Sequence, residues 1–356
     1  MKTIEILRQE AITLLKALIE TPSFSSEEDQ TALLIESWFT QNGIPFQREN
    51  NNVWAFNHHF DKSKPTLLLN SHHDTVKPNQ GYTNDPFKAI VKEGKLFGLG
   101  SNDAGGCLVS LLATFVHFYQ QENLPYNLVM VASAEEESSG KKGLNSVLQH
   151  LPELDCAIVG EPTLMQLAIA EKGLLVLDVV VKGTASHAAH QNEDNPIYNA
   201  MNVIDWFKTY QFEKISDVLG PVKMTVTQVT AGKQHNVVPA ECHLVVDIRV
   251  NDCYSNTEIL ATVKSHVTAE VNPRSMHLNA SSIPLQHGLV QAGIALGRTT
   301  YGSPTLSDQS VLSCQSLKLG PGETLRSHSA DEFIFINEIE EGIQLYIKIL
   351  TDFFKK

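Results

Sequence analysis

A chain of 356 residues exceeds what one hydrophobic core usually serves, so two domains are expected. With 42% hydrophobic and 19% charged residues, it is neither a disordered chain, a collagen-like repeat nor a disulfide-rich miniprotein. Forty acidic against 27 basic residues leave a net charge of −13, which repels nucleic-acid phosphate and anionic lipid, so neither nucleic acid nor membrane is an expected partner.

At the start of the chain Glu5, Arg8 and Glu10 sit among apolar residues at helical spacing, the pattern of an amphipathic helix and not of a signal peptide. No run of about 20 apolar residues follows that could span a membrane. From Thr66 to Ile158 short apolar runs alternate with helical stretches: TLLLNS, AGGCLVSLLATFVHFYQQ, NLVMVAS, CAIVG. This is the βαβ pattern of a parallel sheet buried on both faces. From about Leu174 the pattern changes to strand LLVLDVVVKG, a helix near Ile197 to Thr209, strands VKMTVTQVTAG and ECHLVVDIRV, a helix near Thr257 to His266, and strand MHLNASS. That β-α-β-β-α-β order makes a compact unit by itself. After Pro284 an α/β pattern returns, with SLKLG as a last strand and Asn337 to Phe354 as a closing helix. The fold class expected is α/β: a mostly parallel sheet domain, discontinuous over 1–173 and 286–356, with an α+β (βαββαβ) domain inserted at 174–285. The five cysteines are odd in number, scattered and never spaced C-x-x-C, which fits a reducing compartment and the cytoplasm.

In parallel sheets, ligands collect beyond the carboxyl ends of strands. Here TLLLNS runs into His72-His73-Asp74, NLVMVAS into Ala134-Glu135-Glu136-Glu137, CAIVG into Glu161-Pro162-Thr163, and SLKLG toward Ser327-His328-Ser329, while Asp103 follows the glycine-led GLGSN. One such residue is ordinarily a cap or a solvated end. Together they deliver only imidazole and carboxylate to one rim, a like-charge cluster that is costly unless cations bind there. That donor set without thiolate suits zinc, with cobalt or manganese tolerated, and five donors suit two ions sharing one carboxylate. A bridging water is then the expected nucleophile.

At these positions the chain resembles the co-catalytic zinc amidohydrolases that include acetylornithine deacetylase, succinyl-diaminopimelate desuccinylase, aminoacylase and carboxypeptidase G. Five motifs match in order: H-x-D at His72 to Asp74, Asp103 with Gly105-Gly106, the triplet Glu135 to Glu137, G-E-P-T at Gly160 to Thr163, and His328. The resemblance implies that His72, Asp103 and Glu161 hold one zinc and Asp103, Glu137 and His328 the other. It makes Asp74 the carboxylate that orients His72, and Glu136 the general base. The inserted unit resembles a lid and dimerisation domain, which implies a homodimer. G-T-A-S-H at Gly183 to His187 implies that His187 stabilises the oxyanion in a neighbouring subunit. Asn236 and Arg249 match positions that hold a substrate carboxylate, and Lys172 and Asp308 are further pocket candidates, Asp308 as the acidic partner of a substrate amine. Each has an alternative reading: Asn236 as a turn residue, Arg249 as a strand-face ion pair, His187 as a surface histidine.

Two departures stand out. Glu135 occupies a position usually held by Asp, so a shift of one residue would make Glu135 the base. The lysine of the family's D-M-K-G-G is missing after Asp103. His73 is expected to point away from His72, and His58, His59, His117, His150, His190 and His235 to be surface or packing residues. The expected substrate is a small N-acyl amino acid, N-acetylornithine or N-succinylornithine or N-acetylcitrulline, processed in arginine biosynthesis. The alternatives are succinyl-diaminopimelate or a dipeptide. A non-catalytic scaffold would have lost the base, and Glu136, Asp74 and His187 are all present; a Ser-His-Asp hydrolase would need a G-x-S-x-G after a strand, and none occurs.

Overall fold

The computed structural model describes residues 2–355. They divide into two units. The first holds 2–169, Ser282–Tyr301 and 307–355, and the second Ala170–Ser281 with Gly302–Leu306.

The first unit is built on a mixed sheet. Its order runs Gln47–Glu49, Asn52–Phe56, Asn127–Ser133, Thr66–His72, Cys156–Val159, Gln315–Lys318, Leu167–Glu171. The four central strands are parallel, with Leu69 beside Met130 and Ile158, and Leu317 beside Ile158. Antiparallel strands flank them on both sides. Every residue of Thr66–His72 and Asn127–Ser133 is buried. Alternate side chains explain why: Leu67 and Leu69 enter one apolar cluster and Leu68, Val129 and Val131 another on the opposite face. The continuous apolar runs therefore mean burial on two faces.

Among the described residues the larger cluster also draws on five helices. Ile4–Ile19 is capped by the Thr3 hydroxyl and buries Leu7, Ala11, Leu14, Leu15 and Leu18 along one stripe. Gly106–Tyr119 is apolar nearly all round and accordingly buried almost throughout. Ile336–Phe353 closes the unit, its Tyr346 hydroxyl donating to Leu319 O. A small sheet of Ile90–Lys92, Lys95–Phe97 and Phe333–Phe335, absent from the sequence reading, joins the segment before Asp103 to the segment after His328.

The second unit has a four-stranded antiparallel sheet in the order Lys223–Ala231, Glu241–Val250, Gly173–Lys182, Glu270–Pro273. Gly173–Lys182 alternates buried and half-buried residues, the pattern of a sheet with one covered face. Pro196–Thr209 and Asn256–His266 bury Val203, Phe207, Ile259 and Val263 in its core. The β-α-β-β-α-β order is present, with one correction. The last strand is Glu270–Pro273 and not MHLNASS, whose Leu278 O instead accepts from Leu174 N and Asn256 Nδ2. Among the described residues no helix is long and apolar enough to cross a membrane, and all five cysteines are free.

Candidate metal centre

Parallel order puts the carboxyl ends of neighbouring strands side by side, and the donors follow from that. His72 closes Thr66–His72 directly beside Ser133, which leads into Ala134 to Glu137, while Val159 leads into Gly160 and Glu161. His72 is 1% exposed. Its Nε2 lies 3.3 Å from Asp103 Oδ1, 3.7 Å from Glu161 Oε1 and 3.9 Å from Glu136 Oε2. His328 Nε2 lies 3.0 Å from Glu137 Oε2 and 3.7 Å from Asp103 Oδ2. The two Asp103 oxygens thus face different histidines.

Asp103 comes from the irregular turn Ser101–Gly105, and the Asp103–Ala104 peptide is cis. Gly100 has φ 74°, and a Cβ on Gly105 would come within 2.4 Å of Gly100 O. Glycine at both positions lets the turn close tightly enough for Gly105 N to donate to Gly100 O.

Asp74 does two jobs. Its Oδ1 lies 3.3 Å from His72 Nδ1, the contact expected of an orienting carboxylate. The same carboxylate accepts from Glu136 N and Glu137 N at 3.1 Å each, and from Ser25 Oγ at 2.7 Å. One side chain therefore fixes both an imidazole and the backbone of two carboxylate residues. Glu135 points elsewhere: it accepts from Ser26 Oγ and Lys142 N, and its own N donates to buried Glu28. His73 also points away, its Nε2 bonded to Asn51 O and its Nδ1 to Thr31 Oγ1.

The charges show what the cluster lacks. Burial opposes a charged His72, but hydrogen bonds to Asp103 and Asp74 outweigh it and hold its pKa well above the ordinary imidazole value. The Glu137 carboxylate lifts His328 to about 9. Burial would raise Asp103, yet His72, Ser327 and His328 keep it below the ordinary carboxylate value. Glu136 is pushed well above its ordinary value by burial, with the Glu161, Asp308 and Glu137 charges adding and His72 opposing.

Whether the donors suit divalent cations is a question of chemistry and spacing. One atom each from His72, Asp103 and Glu137, and one each from His72, Glu136 and Glu161, lie within 4.8 Å of one another. Imidazole nitrogen with carboxylate oxygen is a zinc, cobalt or manganese donor set, so the residues fit. A third trio, Asp155, Cys156 and His287, includes a thiol that burial raises far above its ordinary pKa.

Asp308 is 8% exposed, accepts from Ser133 Oγ at 2.5 Å, and is raised by burial to about 6. It acts on Glu136 through its charge from a buried position. The sequence reading missed the N-terminal segment Ser25 to Glu28, Ser327, whose hydroxyl bonds Asp103, and Glu332, which holds the Asp103 backbone. The acidic pair Asp331-Glu332 soon after His328 was the available signal.

In the second unit, Ser186–His187 pairs with Val237–Val238, and Ala188 N donates to Asn236 O, so His187 and Asn236 come together. His187 is exposed, and its Nδ1 accepts from Ala189 N at 3.1 Å. Arg249 forms a two-pronged pair with Asp247 on its own strand at 2.9 and 3.1 Å, the strand-face arrangement. Lys223 sits opposite Arg249, and Lys172 donates to Pro221 O. Burial and these two cations lower the Lys172 pKa.

Comparison with known proteins identifies the company this geometry keeps. The family described as "Peptidase family M20/M25/M40" matches residues 68–352. "Succinyl-diaminopimelate desuccinylase 2" of Ruegeria sp. (strain TM1040) is 23% identical, covering 95% of this chain and 93% of its own. "Acetylornithine deacetylase" of Salmonella heidelberg (strain SL476) is 28% identical, covering 96% and 97%. Among solved structures, an M20 family metallo-carboxypeptidase from Sulfolobus solfataricus has a TM-score of 0.76 at 16% identity, over 98% of this chain and 100% of its own.

Proposed function

The chain belongs to peptidase family M20/M25/M40, a metallohydrolase family, and from that premise we propose that it hydrolyses the amide of a small N-acyl amino acid, foremost an N-acylornithine such as N-acetylornithine. N-succinylornithine and N-acetylcitrulline belong to the same reading, as does a place in arginine biosynthesis. The observation that carries it is the pairing of Glu136 with Glu137. Asp74 fixes both backbones, Glu137 engages His328, and burial pushes the neighbouring Glu136 carboxyl well above its ordinary value.

In this reading two zinc ions, with cobalt or manganese tolerated, would be held by His72, Asp103 and Glu161 and by Asp103, Glu137 and His328. When bound they supply Lewis acidity at the scissile carbonyl and bring a water toward pKa about 7. Glu136 takes the proton from the attacking water as the carbon–oxygen bond forms. It hands that proton to the amine nitrogen as the carbon–nitrogen bond breaks, so the products are a carboxylic acid and a free amine. Because His187 Nδ1 accepts a backbone N–H, the neutral ring carries its proton on Nε2, the donor an oxyanion needs. Arg249, with Lys172 near it, and Asn236 receive the substrate carboxylate. Asn236 does so from the other copy of a dimer, since it lies beside His187 at the Glu241 end of Glu241–Val250 and Arg249 at the Val250 end. Asp308 is the acidic partner of a substrate amine, and its buried charge adds to the burial that raises Glu136.

A homodimer belongs to the same proposal. Ile197, Tyr198 and Met201 are exposed on one helix, Val229 is exposed on Lys223–Ala231, and that strand is an unpaired sheet edge. A cytoplasmic location accords with five free cysteines. One observation favours a second reading, the desuccinylase: Lys172, Lys223 and Arg249 gather positive charge that suits an acyl group with its own carboxylate.

The test is amine release from matched N-acetyl and N-succinyl forms of ornithine, citrulline and diaminopimelate, and from dipeptides, by zinc-loaded protein. Turnover of an N-acylornithine, abolished in Glu136→Ala with zinc retained, is the expected result. Preference for succinyl-diaminopimelate selects the second reading, and turnover of dipeptides alone overturns both.

A further inference from the structure

Glu332 is 2% exposed, and its carboxylate accepts three main-chain N–H groups of the Asp103 turn. Oε1 accepts from Asn102 N at 2.8 Å and Asp103 N at 2.9 Å, and Oε2 accepts from Gly100 N at 3.0 Å. Its own carbonyl accepts from Gly98 N at 3.0 Å. The next residues, Phe333–Phe335, pair with Lys95–Phe97, which leads into the same turn. Four residues earlier in the chain stands His328. One residue therefore ties the turn that carries Asp103 to the loop that carries His328.

Satisfying buried N–H groups does not require a charge, because a neutral carbonyl would serve. Three N–H groups spread over both oxygens of one carboxylate fix more of the turn than a single carbonyl could. A carboxylate shared between two ions must also present both oxygens at once, and Asp103 does so only while its backbone is held: Oδ1 toward His72, Oδ2 toward His328.

We propose that Glu332 is a positioning residue for the metal centre, clamping the Gly100–Asp103 backbone so that one carboxylate faces both histidines before any cation arrives. The proposal rests on the metallohydrolase reading of the site.

The experiment is calorimetric titration of metal-free protein with zinc alone, for wild type, Glu332→Gln and Asp331→Asn, together with amide exchange of the turn. A glutamine keeps one acceptor but turns an NH₂ toward a backbone N–H, so Glu332→Gln should bind at least one zinc about 10- to 100-fold more weakly. Its kcat should fall while KM holds, with the circular dichroism unchanged. Asp331 instead holds Thr83 N and Asn84 N, so Asp331→Asn should lose stability without losing zinc affinity. Wild-type zinc affinity in Glu332→Gln would overturn the proposal, whatever happens to its melting temperature. Should that variant not fold, exchange in the wild type decides. The amides of Gly100, Asn102 and Asp103 are expected to be protected without metal, and free exchange there would overturn it equally. Failure of the underlying reading looks different, because the wild type would then bind fewer than two zinc ions while the exchange arm still reports on the clamp.

Discussion

The strand-end cluster of the first unit and the His187–Asn236 hairpin of the second are built on opposite plans. In the cluster the positioning side chains are over-determined. Asp74 accepts from His72, Ser25 and two backbone amides, and Glu332 from three. In the hairpin the polar side chains are exposed, and His187 engages only its own backbone through Ala189 N and its ring neighbour His190. Buried polar groups must be satisfied within the chain, which makes the cluster rigid and its donors convergent. Exposed groups are free to meet something outside their own unit. In the proposed reading one region holds cations and the other receives a substrate or a second copy, and that division can be broken or sharpened by experiment.

The largest effect is expected at Glu136. Glu136→Gln should lower kcat by roughly 10²- to 10⁴-fold. Zinc content, read by atomic absorption, should stay at the wild-type value; loss of metal in step with activity would make Glu136 a ligand instead of the base. On the hairpin side, His187→Ala should cost roughly 10²- to 10³-fold in kcat with melting temperature and metal content unmoved. If it lowers the melting temperature, the hairpin is structural and the contrast collapses.

Asp74→Ala should act on both of that residue's bonds, weakening zinc by about 10- to 100-fold and freeing the Glu136 backbone. Asp74→Asn, which keeps an acceptor for one amide, should recover part of the activity, and equal loss in both variants would count against a double role.

The last effect concerns stability. His73 is held down to about 4 by burial, whereas an unfolded imidazole titrates near 6.5. Between those values the unfolded chain binds the proton that the folded chain refuses. His73 therefore contributes stability that is present above about 6.5 and is lost as pH falls toward 4, amounting to about 3 kcal/mol. Denaturant unfolding of metal-free protein at pH 7 and pH 4 should show a loss smaller by that amount in His73→Gln; an unchanged difference would mean the imidazole is solvated.

The apolar runs TLLLNS, NLVMVAS and CAIVG determined by themselves that a two-faced parallel sheet forms and that the residues just after them share one rim. The reason is local: a buried parallel strand reads as an uninterrupted apolar run, and parallel order aligns the carboxyl ends. His72, Glu136, Glu137 and Glu161 were legible on that ground, and Asp103 and His328 through the motifs of the family resemblance. What only the tertiary structure decided is how the carboxylates divide their work. Glu135 is turned toward Ser26 and Lys142, Glu137 meets a histidine 191 positions away, and Glu332 reaches the Asp103 backbone across 229. Arg249 closes on Asp247, and the last strand of the second unit is Glu270–Pro273 because Val179 and its neighbours were free to pair there. Bonds between residues so far apart leave no periodicity in the chain, because their partners are chosen by where the packed strands and turns set them down.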